Sequence, residues 1–204
     1  MSVPDYWSDA TRELGERDTV LSKLASRHDG LKMRSRGDAF STLARAIVGQ
    51  QLSVKAAQTI WQRLAAEVAS ITPEKLVAAD SARLRACGLS GSKCAYLTDL
   101  AQRFASGTLD PDRWDALDDE ALIAELVQVK GIGRWTAEMF LIFYMARPDV
   151  LPVDDVGLQR AMSLHYNSGR PVSKLKMRRI AKAWAPWRSV GTWYMWRSLD
   201  PIGT

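Results

Sequence analysis

Two stretches of this 204-residue chain carry residues that could do chemistry. The first is the turn Gly131-Ile132-Gly133, with Lys130 before it and Arg134 after it. Two glycines one residue apart suit a hairpin with positive φ or close backbone approach. The amides of Ile132, Gly133 and Arg134 would then point outward at a helix N-terminus. There the N–H donors and the positive end of the helix dipole together attract an anion. Lys130 and Arg134 would add positive charge on either side. The second stretch is the acid pair Asp154-Asp155, two residues beyond Pro152 and at the start of a helical pattern. A carboxylate there can stabilise a developing cation or hold a water. It can equally be an N-cap, the commoner role for aspartate in that position.

The elements that must hold these stretches are helices. Leu122, Ile123, Leu126 and Val127 form one apolar helical face before the turn. Trp135, Met139, Leu141, Ile142 and Met145 resume a helical pattern after it, so the segment predicts a helix–hairpin–helix. Upstream, the pattern predicts helices over Tyr6 to Leu14, Thr19 to Arg27 capped by Asp18, and Ala39 to Val48 capped by Asp38. A long helix from Val54 to Ala69, capped by Ser53, follows a corner of unusual composition, Gly49-Gln50-Gln51-Leu52. Short helices run from Pro73 to Ala79 and from Asp80 or Ser81 to Cys87. Ser90 caps a helix through Phe104 with Ala95, Leu97, Leu100, Ala101 and Phe104 inward. Residues 107–114 read as a loop, and Asp118 caps Glu120 to Val127. Downstream, Val156 to Tyr166, Lys174 to Trp184 capped by Ser173, and Trp187 to Leu199 opened by Pro186 complete an all-α chain of about ten short helices.

Composition narrows the function classes. Hydrophobic content of 47% and charged content of 25% are ordinary globular values. No apolar run approaches the ~18 residues that a membrane span needs. The N-terminus lacks a basic region followed by an apolar stretch, so a secretion signal is not expected. Two cysteines, Cys87 and Cys94, are too few for a disulfide framework and suit a reducing cytoplasm. His28 and His165 share no metal-ligand spacing, and no Walker loop or dinucleotide fingerprint occurs. The net charge of +5 is unevenly spread: from Val156 to Leu199 there are nine basic residues and no acid. A local excess of that kind favours a polyanion partner, although a solvated basic face has the same composition.

Lys130 to Ala137, KGIGRWTA, followed by Leu151-Pro152-Val153-Asp154, resembles the helix-hairpin-helix (HhH-GPD) DNA glycosylase superfamily. The resemblance extends over about residues 15 to 200. It implies a single glycosylase unit, 1–204, with two helical lobes: one about 40–151, the other formed by 1–39 with 152–204. It implies that Lys130, Gly131, Ile132, Gly133, Arg134 and Thr136 grip a DNA phosphate, with a structural monovalent cation at the hairpin and no required cofactor or catalytic metal. Pro152-Val153-Asp154 matches the family's Pro-x-Asp and makes Asp154 the catalytic carboxylate, while either aspartate can cap the helix and the role of Asp155 stays open. The corner before the Ser53-Val54 helix enters the minor groove in that family, which makes Gln51 and Leu52 the candidates to plug the gap left by an extruded base. Ser92 and Lys93 are further candidates for a phosphate contact.

Trp135 and Trp196 match positions lining the base pocket in the alkylation-repair branch, the methyladenine glycosylases. Pro186-Trp187-Arg188-Ser189 strengthens the match, while Met139 replaces an aromatic of some relatives. Trp184 or Trp187 would instead pack the core. Bifunctional members carry a lysine two positions after the second hairpin glycine. Here that position is Trp135, which implies a monofunctional enzyme that uses water. The expectation is therefore a monomeric, cytoplasmic enzyme that extrudes alkylated purines such as 3-methyladenine from double-stranded DNA and hydrolyses them off. Two other readings remain: a mismatch or deaminated-base glycosylase on the same fold, and a non-catalytic hairpin DNA-binding module.

Overall fold

The structure is a computed structural model that describes residues 3–35 and 37–200. Arg36 of the basic loop, the first two residues and the four-residue tail lie outside that range. The described residues contain helices and turns only: α1 (Trp7–Arg17), α2 (Thr19–Arg27), α3 (Ala39–Gly49), α4 (Val54–Val68), α5 (Pro73–Ala78), α6 (Ser81–Ala86), α7 (Gly91–Ala105), a 3-10 helix (Pro111–Ala116), α8 (Asp119–Leu126), α9 (Arg134–Phe143), α10 (Val156–Tyr166), α11 (Lys174–Ile180) and α12 (Arg188–Arg197). None of these helices is long and apolar enough to cross a membrane. The chain forms two compact units, 37–140 and 1–36 with 141–204. The division falls inside α9, so residues 141–151, expected with the hairpin, belong to the unit that holds both termini.

In the unit of residues 37–140, caps set the helix starts. Asp38 accepts from Ser41 N, Ser53 from Ala56 N, Ser90 from Lys93 N and Asp118 from Ala121 N. Each satisfies an amide that the first turn leaves orphaned. Phe40, Leu43 and Ile47 of α3 are buried, as are Leu97, Leu100 and Ala101 of α7. Ala95, expected inward, is exposed, because Cys94 takes the inside position of that turn. The predicted loop over 107–114 contains the start of the 3-10 helix, whose Trp114 is wholly buried. Its ring meets Phe104 at 5.9 Å and Phe140 at 5.4 Å, both edge-on, and Phe104 in turn meets Phe40 at 5.2 Å. This aromatic row is long-range, which is why local pattern missed the helix that Trp114 anchors.

The other unit is built on Asp18. Its Oδ1 accepts from Val20 N and Leu21 N, capping α2, and its Oδ2 accepts from Tyr166 Oη at 2.8 Å and Trp184 Nε1 at 3.1 Å. Burial, then the Asp18 charge, pushes the Tyr166 phenol well above its ordinary range. Trp184 is fully buried, as expected, and Gly191 of α12 leaves room for it. The basic helix expected through Trp184 stops at Ile180. The chain then tightens into bonds such as Trp184 N to Ala181 O at 3.2 Å, which turn the indole into the core. Helix α1 begins at Trp7 and runs on to Arg17, past the expected end at Leu14, with Arg12 paired to Glu16 and Arg17 to Glu13. Pro186 does not open α12: the helix starts at Arg188, whose amide is capped by Asp149 from a distant loop.

Candidate functional site

The hairpin of residues 127–133 belongs to the unit of residues 37–140. Gly131 has φ +82°, and a Cβ placed there would lie 2.2 Å from Cδ2 of Tyr96 on α7. The glycine is therefore required twice, for its backbone angle and for the ring beneath it. The amides divide. Ile132 is buried and its N–H donates to Val129 O at 3.0 Å, so it is not an outward donor as expected. The Gly133 and Arg134 amides make no hydrogen bond among the described residues and stand at the exposed N-terminus of α9. That leaves two of the three expected donors at the positive end of the dipole.

The flanking charges also divide. Lys130 is exposed, and its backbone amide donates to Asp99 Oδ2 at 3.0 Å. Burial pushes the Asp99 carboxyl up, but that amide and Arg103 outweigh it and hold the group below its ordinary value. Arg134 is otherwise occupied. Nη1 meets Glu120 Oε2 at 2.9 Å and Nη2 meets the other oxygen, while Nε meets the buried Glu138 at 3.0 Å. The Glu120 bonds raise the guanidinium further above its ordinary value and lower the carboxyl of Glu120. With its charge matched, Arg134 leaves its amide rather than its side chain open to an anion. Thr136 is buried at 8% exposure and does not belong to the exposed turn.

The corner between α3 and α4 lies in the same unit and is tied to the hairpin. Gln50 Nε2 donates to Gly131 O at 2.7 Å. Lys93 Nζ donates to Val48 O and Gln50 O, both at 2.8 Å, and so closes the C-terminus of α3. Desolvation lowers its ammonium pKa. Lys93 is thus an internal brace, not a phosphate contact; Ser92 remains exposed. Lys93→Met is expected to lower stability by about 1–3 kcal/mol, because two carbonyls lose their donor. Urea unfolding reads that loss, and an unchanged midpoint would refute the brace. Held this way, the corner presents Gln51 outward with φ +57°, an unusual value for a non-glycine residue. Leu52 is 39% exposed beside it. Leu52 also lines a cavity of about 270 Å³ with Trp61 and Val54, where the Arg45 guanidinium lies 4.5 Å from the Trp61 ring.

The acid pair belongs to the other unit, and its two carboxylates have different surroundings. Asp154 is exposed and forms an ion pair with Lys174, the first residue of α11. Asp155 is half-buried and caps α10: its Oδ1 accepts from Leu158 N at 2.6 Å and from Trp196 Nε1 at 2.7 Å. The Trp196 ring stacks on Phe143 at 5.5 Å. A Cβ on Gly157 would stand 3.1 Å from Asp155 Oδ1 and 3.2 Å from Trp196 Cδ1. The absence of a side chain at 157 therefore lets the indole reach the carboxylate, and sequence pattern offered no sign of it. Gly157→Ala is expected to push the indole off the carboxylate by tenths of an ångström and so to lower stability by about 1–3 kcal/mol. An unchanged urea midpoint would refute this. The preceding loop is pinned by Ser189, whose Oγ donates to Arg147 O and accepts from Val150 N, and by the two-pronged pair of Arg188 with Asp149. Pro186-Trp187-Arg188-Ser189 is thus a structural brace for the chain leading to the acid pair. Trp135, 47% exposed, and Met139 lie in the unit of residues 37–140, whereas Trp196 lies with the acids.

Residues 44–186 match the HhH-GPD superfamily of base excision DNA repair proteins. The chain belongs to that superfamily. Among its HhH-GPD relatives, DNA-3-methyladenine glycosylase 1 of Schizosaccharomyces pombe is 33% identical over 190 residues, which are 91% of this chain and 83% of that protein. DNA-3-methyladenine glycosylase 2 of Escherichia coli is 30% identical, over 87% of this chain and 64% of its own length. A DNA-3-methyladenine glycosidase from Bacillus halodurans superposes with a TM-score of 0.88 at 33% identity, covering 97% of this chain and 92% of that one. The S. pombe 3-methyladenine DNA glycosylase in complex with abasic DNA superposes at 0.81, with 30% identity and coverage of 95% and 98%. No group of three or more His, Cys, Asp or Glu residues that could hold a metal ion occurs among the described residues.

Proposed function

We propose that this HhH-GPD protein is a DNA N-glycosylase that removes alkylated purines, 3-methyladenine among them, by hydrolysis. The observation that carries the reading is the Asp155–Trp196 pair: a carboxylate fixed at a helix N-terminus by an indole of the aromatic set. The names of the relatives at 30% identity and above support the substrate class.

An alkylated purine that carries positive charge is attracted by an aromatic face and is a good leaving group. As the bond to the sugar breaks, its electron pair leaves with the base and cationic character builds on the sugar. A preorganised carboxylate stabilises that charge. Water then supplies the oxygen to the sugar carbon and releases a proton. The motif resemblance assigns the carboxylate to Asp154, but the surroundings favour its neighbour. Asp155 is oriented by two hydrogen bonds and partly shielded from water, whereas Asp154 already has its charge matched by Lys174. We therefore assign the electrostatic role to Asp155, with Asp154 holding the N-terminal end of α11.

Trp135 and Trp196 supply aromatic faces, Gln51 and Leu52 the plug. Lys130 and the Gly133 and Arg134 amides meet the DNA phosphate. A monovalent cation at the hairpin would be held by turn carbonyls. Those of Val129 and Gly131 already accept one hydrogen bond each and keep a second lone pair. Trp135 where a lysine nucleophile would stand supports monofunctional chemistry.

The test is base release from methylated duplex DNA, analysed with and without alkali. Free 3-methyladenine, with strand breaks only after alkali, is expected. Breaks without alkali would overturn the monofunctional reading. No released base despite duplex binding would leave a binding module.

A further inference from the structure

We propose that the exposed face of α11 and the turn after it form a second DNA-backbone contact, made by Arg178, Arg179 and Lys182. This rests on the reading of DNA as the partner, and it adds a surface distinct from the hairpin residues.

In the same unit, Arg12 and Arg17 meet acids of α1, Arg188 meets Asp149, Arg197 meets Asp200 and Lys174 meets Asp154. Arg178, Arg179 and Lys182 are exposed and make no ion pair or side-chain hydrogen bond among the described residues. They lie in the stretch Val156 to Leu199, which contains no acid.

Geometry gathers them on one side. Met177 and Ala181 are buried. Lys174 and Arg178, four residues apart, form one row beside that buried edge, and Arg179 lies about 100° further round the helix. Lys182 follows in the next turn. Neighbouring like charges at such spacings disfavour the isolated fold. An arrangement of this kind becomes favourable when a polyanion supplies the missing charge. The row also starts beside the acid pair, since Lys174 in the first turn of α11 holds Asp154. A strand whose nucleotide reaches these carboxylates therefore has backbone near α11. Phosphates are the matching partner, because releasing their counterions makes such contacts favourable whatever the sequence.

The experiment compares wild type with the triple variant Arg178→Gln, Arg179→Gln, Lys182→Gln. A control variant, Arg12→Gln, Lys23→Gln, Arg27→Gln, removes the same charge from α1 and α2. Affinity for an undamaged duplex is measured by fluorescence anisotropy across a salt series. Each lost phosphate contact should flatten the logarithmic salt slope by about 0.9. For three contacts, wild type should lose about 40-fold more affinity than the α11 variant between roughly 50 and 200 mM salt. The control should keep the wild-type slope. An unchanged slope in the α11 variant, or an equal change in the control, would overturn the proposal. The readout is binding, so it stands apart from excision. If wild type released no base yet the slopes differed as expected, the surface would stand and the glycosylase reading would fall.

Discussion

Asp155→Asn is expected to cut single-turnover release of 3-methyladenine about a thousandfold, while Asp154→Asn costs less than about tenfold. Asparagine keeps the shape and the side-chain oxygen, so the bonds from Leu158 N and Trp196 Nε1 can persist and the cap of α10 survives. Only the charge is lost. Removing one preorganised electrostatic partner of a transition state typically costs about a hundred- to a thousandfold, and a thousandfold is about 4 kcal/mol. At Asp154 the same change removes one member of an exposed ion pair with Lys174, a pair in a well-solvated setting. Both variants should bind methylated duplex like wild type. A larger loss at Asp154 than at Asp155 would return the role to the residue that the motif names. Small losses at both would remove the acid pair from the reaction.

Gly131→Ala is expected to lower stability by about 3 kcal/mol and to weaken duplex binding more than tenfold. Two costs combine. The backbone at φ +82° disfavours any residue with a Cβ by about 1–2 kcal/mol, and the new methyl group would press into the Tyr96 ring, with overpacking of about 1–3 kcal/mol. Tyr96 must move or the turn must open. Either response displaces the Gly131 carbonyl that accepts from Gln50, so the corner bearing Gln51 is disturbed along with the hairpin. Adding Tyr96→Ala should restore the part that comes from overpacking and leave the backbone part. Urea midpoints and anisotropy titrations on the single and double variants separate the two. A stable single variant with wild-type affinity would refute the account of the turn.

Much of this was legible from the sequence because the interactions concerned are local. Asp18, Asp38, Ser53, Asp118 and Ser173 cap the helices expected of them, through bonds that reach only two or three residues along the chain. Gly131 announced a turn for the same reason: a positive φ is a property of one residue, whereas Gly133 does not take one. Local pattern also described α2 and α10 residue for residue.

The rest was decided by partners far along the chain. Arg134 looks like a free cation beside two glycines until Glu120, 14 residues earlier, takes its guanidinium. Lys93 looks like a phosphate ligand until the Val48 and Gln50 carbonyls at the end of α3, more than 40 residues away, draw its ammonium inward. Helix α12 begins where Asp149 caps it, not where Pro186 invites it. The two aspartates show the limit most clearly. They are adjacent, of one type, and both at a helix start, so no local pattern separates them. Trp196, 41 residues from Asp155, and Lys174, 20 residues from Asp154, give one a fixed orientation and the other a counter-charge. Composition and spacing determined that this chain is helical, that it turns at Gly131 and that an acid pair opens α10. Which acid is oriented and half-buried, which cation is spoken for and which amides still face outward depended on side chains brought together only by tertiary packing, because charge and hydrogen bonding act through space rather than along the chain.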